Sequence, residues 1–308
     1  MFWSLRCFER VDDSALKYYC LRGLFQRAED QQLDRWDSLS DIDSLLENNP
    51  ELSCVIREKV GQVMQVAELH LRSPKVGEQS DRIVVGNTHL FYHPLADHIR
   101  AMQAYMVCRQ MYIVRKHDNS PCLLFLCGDF NSGPSSGAVH LLLERKVGPD
   151  HRGTWKHLHE YAWDMGDEKF LLEHEYIGND KDSSGDPLYI DEAFEDAVQC
   201  LDAINDVEVS TLTHPSQIRL PAMFPLLRSG YAKIPAFTNY AVDFSDTLDY
   251  ILASESSNEE LYGLAPKCSA LMPTTEMMTS YGAMPNEFMP SDHVSLVCDL
   301  AWEHSSIN

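Results

Sequence analysis

The chain has 308 residues, enough for one large α/β domain with a sizeable core. Its hydrophobic share of 44% and charged share of 23% exclude wholesale disorder, and no run of about 18 apolar residues offers a membrane-spanning helix. The net charge of −22 argues against broad binding to a nucleic-acid duplex, whose phosphates would be repelled. That charge is unevenly distributed. Residues 160–208 hold 16 acids and two lysines, a net of −14, which leaves −8 for the rest of the chain.

In chain order, the first ten residues carry no long apolar core and meet acids at Glu9, Asp12 and Asp13, so they read as part of a strand and not as a signal peptide. Residues 12–59 are polar and mostly helical in pattern: Leu39, Ile42, Leu45 and Leu46 share one helical face, and Asn49-Pro50 stops it. The alternation from Val60 to Leu71 predicts a strand. Ile83–Leu90 is short and β-branched and predicts a buried strand. An amphipathic helix follows from about Leu95 to Lys116, with Ile99, Met102, Met106 and Ile113 inward. Leu123–Leu126 is a further buried strand. Pro134–Val147 is a turn and a helix that Ser135 or Ser136 caps.

Residues 150–236 break this rhythm and are expected to form an acidic insertion or excursion within a single domain spanning 1–308. Strands resume at Thr247–Leu252 and at His293–Cys298. Strands alternating with helices imply a layered α/β fold. Nine cysteines without paired ligand spacing fit a reducing, intracellular compartment, with mitochondrial and cytoplasmic placement both open.

Polar clusters stand at four strand ends: Asn87-Thr88-His89, Gly128-Asp129-Phe130-Asn131, Leu248-Asp249-Tyr250 and Ser291-Asp292-His293. Each alone reads as a turn, a helix start or a satisfied core group; four at strand edges point to one site. Phosphodiester cleavage needs a nucleophilic water, neutralised phosphoryl charge and help for the leaving oxygen, and a divalent ion on carboxylate and amide oxygens serves all three. Asp129, Asn131 and Asp292 offer such oxygens to Mg²⁺ or Mn²⁺. His293 can bond a phosphoryl oxygen or accept a proton, Asp249 can orient its imidazole, and His89 brings a second ring.

These clusters, in this order, resemble the signature of the endonuclease/exonuclease/phosphatase (DNase I-like) superfamily. Asn87-Thr88-His89-Leu90-Phe91-Tyr92-His93-Pro94, then Ile99-Arg100 and Gln103, resembles its 2',5'-phosphodiesterase branch. Pro235-Ala236-Phe237-Thr238-Asn239-Tyr240 is shared with the carbon catabolite repressor-type deadenylases, toward which Asp243-Phe244 leans. The resemblance implies a four-layer α/β/β/α sandwich and a metal-dependent phosphodiesterase or 3'-exoribonuclease acting on oligoadenylate or poly(A), with RNA as the partner and no membrane. It further implies Asp129 and Asn131 at metal and phosphate, Asp129 also handling protons, Asp292 on the metal side, His293 at phosphate or in catalysis with Asp249 as partner, and His89 at phosphate. Phe237, Asn239, Tyr240 and Arg100 are its substrate-binding candidates, the first three reading equally as core packing.

The superfamily pattern also opens with an Asn-bearing strand and a Gln-Glu pair whose Glu ligates Mg²⁺. Neither is found here, so the sequence reads as an N-terminally truncated domain with weak or absent activity. The alternative is a non-catalytic calcium- or partner-binding fragment on a nuclease fold. Residues 180–191 fit a calcium loop, with Asp180, Asp182, Ser184 and Asp191 as oxygen donors and Gly185 at the turn, although Pro187 and a closing Asp depart from the pattern and an acidic solvated loop explains them too.

Overall fold

A computed structural model of the chain describes residues 8–10, 16–25, 39–71, 82–115, 122–158, 217–242, 244–256 and 262–304. In chain order these form β1 (Phe8–Arg10), β2 (Leu16–Cys20), α1 (Leu21–Leu24), α2 (Leu39–Asn48), α3 (Pro50–Cys54), β3 (Val63–Leu71), β4 (Arg82–His89), α4 (Asp97–Arg115), β5 (Cys122–Asp129), α5 (Gly137–Glu144), β6 (Lys146–Val147), α6 (Arg152–Trp155), β7 (Ile218–Arg219), β8 (Leu227–Ser229), β9 (Asn239–Tyr240), β10 (Ser245–Asp246), β11 (Asp249–Ser254), β12 (Tyr262–Ser269), α7 (Thr275–Tyr281) and β13 (Cys298–His304).

Among the described residues the main sheet has seven strands in the order β1-β3-β4-β5-β11-β8, with β2 also pairing β3. Of these, only β4 and β5 run parallel, and α4 is the crossover helix that a parallel pair requires. Leu124 and Leu126 of β5 and Val84 of β4 face the helical layer, where they join Ile99, Met102, Tyr105 and Met106 of α4 and Val139 and Leu142 of α5 in the main core. On the opposite face, Ile83, Leu123 and Ala253 meet Leu264 of β12, with Leu300 of β13 packed against them. The layers are therefore helices, the large sheet and a second sheet, which among the described residues is the β12–β13 pair. No helix of the described residues is long and apolar enough to cross a membrane.

Several expectations change. Leu16–Cys20 falls in the stretch read as helical but forms β2 along the edge of β3, with Tyr18 opposite Gln65 and Tyr19 opposite Met64; its aromatic residues suit a half-buried pleated surface. The helix stop at Asn49-Pro50 is instead a joint: α2 ends at Asn48 and Pro50 opens α3, where its missing N–H is harmless. Every residue of α4 except Ile113 is buried. The amphipathic reading missed this because α1, α5, α6 and β7 pack around the helix as well as the sheet. Ser136, not Ser135, caps α5 by accepting from the Val139 amide.

The boundary of the excursion also shifts among the described residues. Trp155, Leu158, Ile218, Leu220, Phe224 and Leu227 all belong to the main core. The Trp155 indole donates to the Gly148 carbonyl, while Ile218 of β7 pairs with Val147 of β6. The calcium-loop candidates Asp180, Asp182, Ser184 and Asp191 lie outside the described residues. At the other end, His293–Cys298 is not a strand: His293 makes an isolated bridge to Asn239, and β13 begins at Cys298, where pairing with β12 starts.

Seven cysteines among the described residues are free. Burial pushes the Cys122 thiol up to about 12 and the Cys127 thiol up to about 11, so both behave as small hydrophobes and not as thiolates.

Candidate active site

Strand register creates the site. His89 at the end of β4 lies opposite Asp129 at the end of β5, and Asp129 lies opposite Asp249 at the start of β11. Residues opposite one another in register point to the same face of a sheet, so an imidazole and two carboxylates form one row along its rim.

Gly128 makes this rim possible. Its φ is +145°, and a Cβ there would sit 1.8 Å from the Thr88 carbonyl oxygen, so only glycine lets the ends of β4 and β5 approach this closely. Phe130, two residues on, anchors the motif from below. It is fully buried and stacks on Tyr250 with ring centroids 5.3 Å apart. The Tyr250 hydroxyl donates to the carbonyls of Ser132 and Thr247, joining the two loops that flank the rim.

Asp129 Oδ1 accepts from the Asn131 amide at 2.8 Å. Its Oδ2 faces His89 Nε2 at 3.5 Å and His293 Nε2 at 3.8 Å. Burial raises the Asp129 pKa above the ordinary carboxylate value; the Asn131 amide opposes this, the Asp249 charge adds to it, and the two histidines oppose it. Asn131 has a left-handed backbone, φ 47°, and its side-chain amide donates to the Leu90 carbonyl at 2.9 Å. That donor assignment turns Oδ1 away from the carbonyl and leaves it as the acceptor end of the side chain.

His293 stands at the centre of the acids. Its Nδ1 is 2.7 Å from Asp249 Oδ2, and its Nε2 is 3.8 Å from Asp129 Oδ2 and 3.9 Å from Asp292 Oδ2. Burial alone would lower its pKa. The Asp249 hydrogen bond and the charges of Asp249, Asp129 and Asp292 outweigh that and raise it. The carboxyl groups of Asp129 and Asp292, 163 positions apart in sequence, thus flank the same ring nitrogen.

Sequence reasoning gave no separate role to Thr238, which the structure puts at the heart of this network. Its buried hydroxyl donates to Asp249 Oδ2 at 2.7 Å and accepts from the amides of Leu248 and Asp249, each at 2.9 Å. Its backbone amide and carbonyl pair with Asp246 and Val294. The available signal was its place beside Asn239, inside a motif already singled out.

The other candidates divide. Asn239 donates from Nδ2 to Asp292 Oδ2 at 2.9 Å, which places it in the acidic cluster. Phe237 is buried at 4% exposure in a small core with Met278 and Met284, beneath the ring of Tyr240, 5.1 Å away. Tyr240 is half-buried and packs against that small core, with its hydroxyl 3.3 Å from Thr279 Oγ1, while Phe244 is exposed. Phe237 therefore sits among packed side chains and not on a surface open to a base. Arg100 is buried. Its guanidinium donates to Ser132 Oγ and to the carbonyls of Phe91, His93 and Pro94, so it fastens the loop after β4 to the loop after β5.

Asp129, Asp249 and His293 can each aim one ligand atom at a common point, all within 4.8 Å of one another. Asp249 and His293 are already bonded to each other. The carboxylate oxygens of Asp129 and Asp292 and the side-chain oxygen of Asn131 are hard donors of the kind that suits a hard divalent cation.

A sequence model described as the Endonuclease/Exonuclease/phosphatase family matches residues 37–293. The chain belongs to that family. It is 28% identical over 248 residues to the 2',5'-phosphodiesterase 12 of Homo sapiens, covering 80% of this chain and 30% of that protein. It is 25% identical over 238 residues to the CCR4-NOT transcription complex subunit 6-like-B of Xenopus laevis, covering 74% of this chain and 35% of that protein. The chain thus spans about a third of the length of these relatives. Among solved structures it resembles ANGEL2, a 2',3'-cyclic phosphatase in complex with adenosine-2',3'-vanadate, with TM-score 0.54 and 19% identity over 97% of this chain and 68% of that one. This likeness shows the shared DNase I-like fold.

Proposed function

We propose that this chain carries a metal-dependent phosphodiesterase site that cleaves adenylate-rich RNA or oligoadenylate. The observation that carries the reading is the position of His293 Nε2, flanked by the carboxylates of Asp129 and Asp292 while Asp249 holds the other ring nitrogen. A bound divalent cation would be held by Asp129, Asp292 and Asn131, and it would supply charge neutralisation and a more acidic water.

The chain's own groups do the rest. Asp249 fixes the proton of His293 on Nδ1 whenever the ring is neutral, so Nε2 faces the phosphate as the reactive nitrogen. When protonated, His293 donates from Nε2 to a phosphoryl oxygen; its raised pKa favours that form. Asp129, whose pKa is raised by burial, is suited to take the proton of the attacking water. His89, 68% exposed at its side chain, reaches furthest toward solvent and meets the incoming phosphate.

The base preference rests on the half-buried Tyr240, whose backbone amide donates to the Asp292 carbonyl, and on a relative named as a 2',5'-phosphodiesterase. The test is turnover of 5'-labelled oligoadenylates, 2'–5' and 3'–5' linked, by purified residues 1–308 with Mg²⁺ or Mn²⁺. Weak hydrolysis that EDTA and Asp129→Ala both abolish is expected, since the Glu ligand of the family pattern is not found in this sequence. Tight Mn²⁺ binding without turnover of either linkage would favour the non-catalytic module instead.

A further inference from the structure

Asn239, whose side chain reaches Asp292, also holds a buried polar atom. The residue is 4% exposed. Its Nδ2 donates to Asp292 Oδ2 at 2.9 Å, and its Oδ1 is buried with no hydrogen-bond partner among the described residues. The two ends cannot be exchanged: a carboxylate oxygen only accepts, so the amide nitrogen must face Asp292 and the carbonyl oxygen must stay unpaired. Buried acceptors of this kind are uncommon and mark strain, catalysis or a missing water or ion.

The backbone reinforces the contact. Asn239 bridges His293 across an antiparallel pair, the Tyr240 amide donates to the Asp292 carbonyl, and the Val294 amide donates to the Thr238 carbonyl. Asp292 itself is nearly half exposed at its side chain. Without a donor fixed beside it, that carboxylate would sample several rotamers. Thr238 and Asn239, adjacent in sequence, thereby grip the two acids on either side of His293: the hydroxyl holds Asp249 and the amide holds Asp292.

We infer that Asn239 is a positioning residue for the cation side of the site: Nδ2 fixes the carboxylate of Asp292, and Oδ1 accepts from a water of that site. It is not a contact for the adenine base. The inference rests on the metal-dependent reading above and gives this residue a place in it. Groups that orient a ligating side chain typically alter metal affinity by about 10- to 100-fold when removed.

The experiment measures Mn²⁺ affinity by electron paramagnetic resonance and, separately, KM and base preference on oligonucleotides. Asn239→Leu, similar in size but without hydrogen-bonding atoms, should weaken Mn²⁺ binding about 10-fold or more and raise the metal concentration needed for turnover. KM at saturating metal and the preference for adenine should not move. Unchanged Mn²⁺ affinity, with or without loss of adenine preference, overturns the inference. Asn239→Ala is read in the same way if the leucine variant lacks native circular dichroism, and failure of both to fold assigns Asn239 to structure alone and also overturns it. Failure of the parent reading has a different signature: the unaltered chain would not bind Mn²⁺, or Asp129→Ala would bind it equally well.

Discussion

Asp249 holds Nδ1 of His293 at 2.7 Å while its own Oδ2 also accepts from the Thr238 hydroxyl at 2.7 Å. One oxygen therefore sets the orientation of the ring that faces the opening. Asp249→Asn should preserve the fold but place an amide where a carboxylate is needed, allowing the wrong tautomer. The expected loss is about 100- to 10,000-fold in kcat, the usual contribution of a positioned acid or base, with KM little changed. Steady-state kinetics on an oligoadenylate would check this.

The same pair gives a pH signature in chelated protein. His293 has a raised pKa, so its folded value lies above the roughly 6.5 of an unfolded histidine. The protonated ring therefore favours the folded state. That stabilisation is complete below the unfolded pKa and is lost as pH rises through the folded one. With EDTA present, the Cε1 proton of His293 should titrate above an ordinary histidine, and Asp249→Asn should lower its midpoint. A midpoint unmoved by the substitution would contradict the coupling.

Thr238→Val removes a hydroxyl that serves one carboxylate and two backbone amides, that of Leu248 buried. Leaving a buried donor unsatisfied costs about 1–3 kcal/mol, so the valine variant should lose stability on that scale in urea denaturation and also lose activity. Thr238→Ser keeps the hydroxyl and should recover most of both.

Gly128→Ala should be far more damaging than its size suggests. The added methyl would meet the Thr88 carbonyl at 1.8 Å in a backbone conformation that side chains disfavour. A loss of about 3 kcal/mol or more is expected from strain and displaced pairing, seen as a lowered denaturation midpoint. An alanine variant of near-parental stability would show that β4 and β5 do not meet as described.

Tyr240→Ala and Phe237→Ala should separate two roles that neighbouring aromatics share in sequence. The first removes a half-buried ring and should weaken oligoadenylate binding by about 1–3 kcal/mol, the scale of base stacking, with a smaller loss of stability than the second. The second empties a buried position and should lower stability by about 3–5 kcal/mol. Thermal melts alongside KM values would tell the two apart.

Much of the rim could be read before folding because apolar runs adjoin two of its acids: Leu123–Leu126 precedes Asp129, and Tyr250–Leu252 follows Asp249. Such runs become strands, and strand ends of one sheet share a rim. The Thr238 hydroxyl was not legible in this way, since its three partners come together only when β9 lies beside the start of β11. The roles of Phe237 and Arg100 were obscured for a related reason: an aromatic or a guanidinium looks alike in sequence whether it faces a ligand or fastens loops. The enclosure of α4 and the edge strand at Leu16–Cys20 depended on what else packs nearby, which no local period records.

Both described ends of the acidic stretch are moored to the same short strand: Ile218 pairs with Val147, and Trp155 reaches the carbonyl of the adjacent Gly148. Closing a chain segment between fixed ends costs only about 0.6 kcal/mol more for each doubling of its length, so insertions or deletions between residues 158 and 217 should disturb the described frame little.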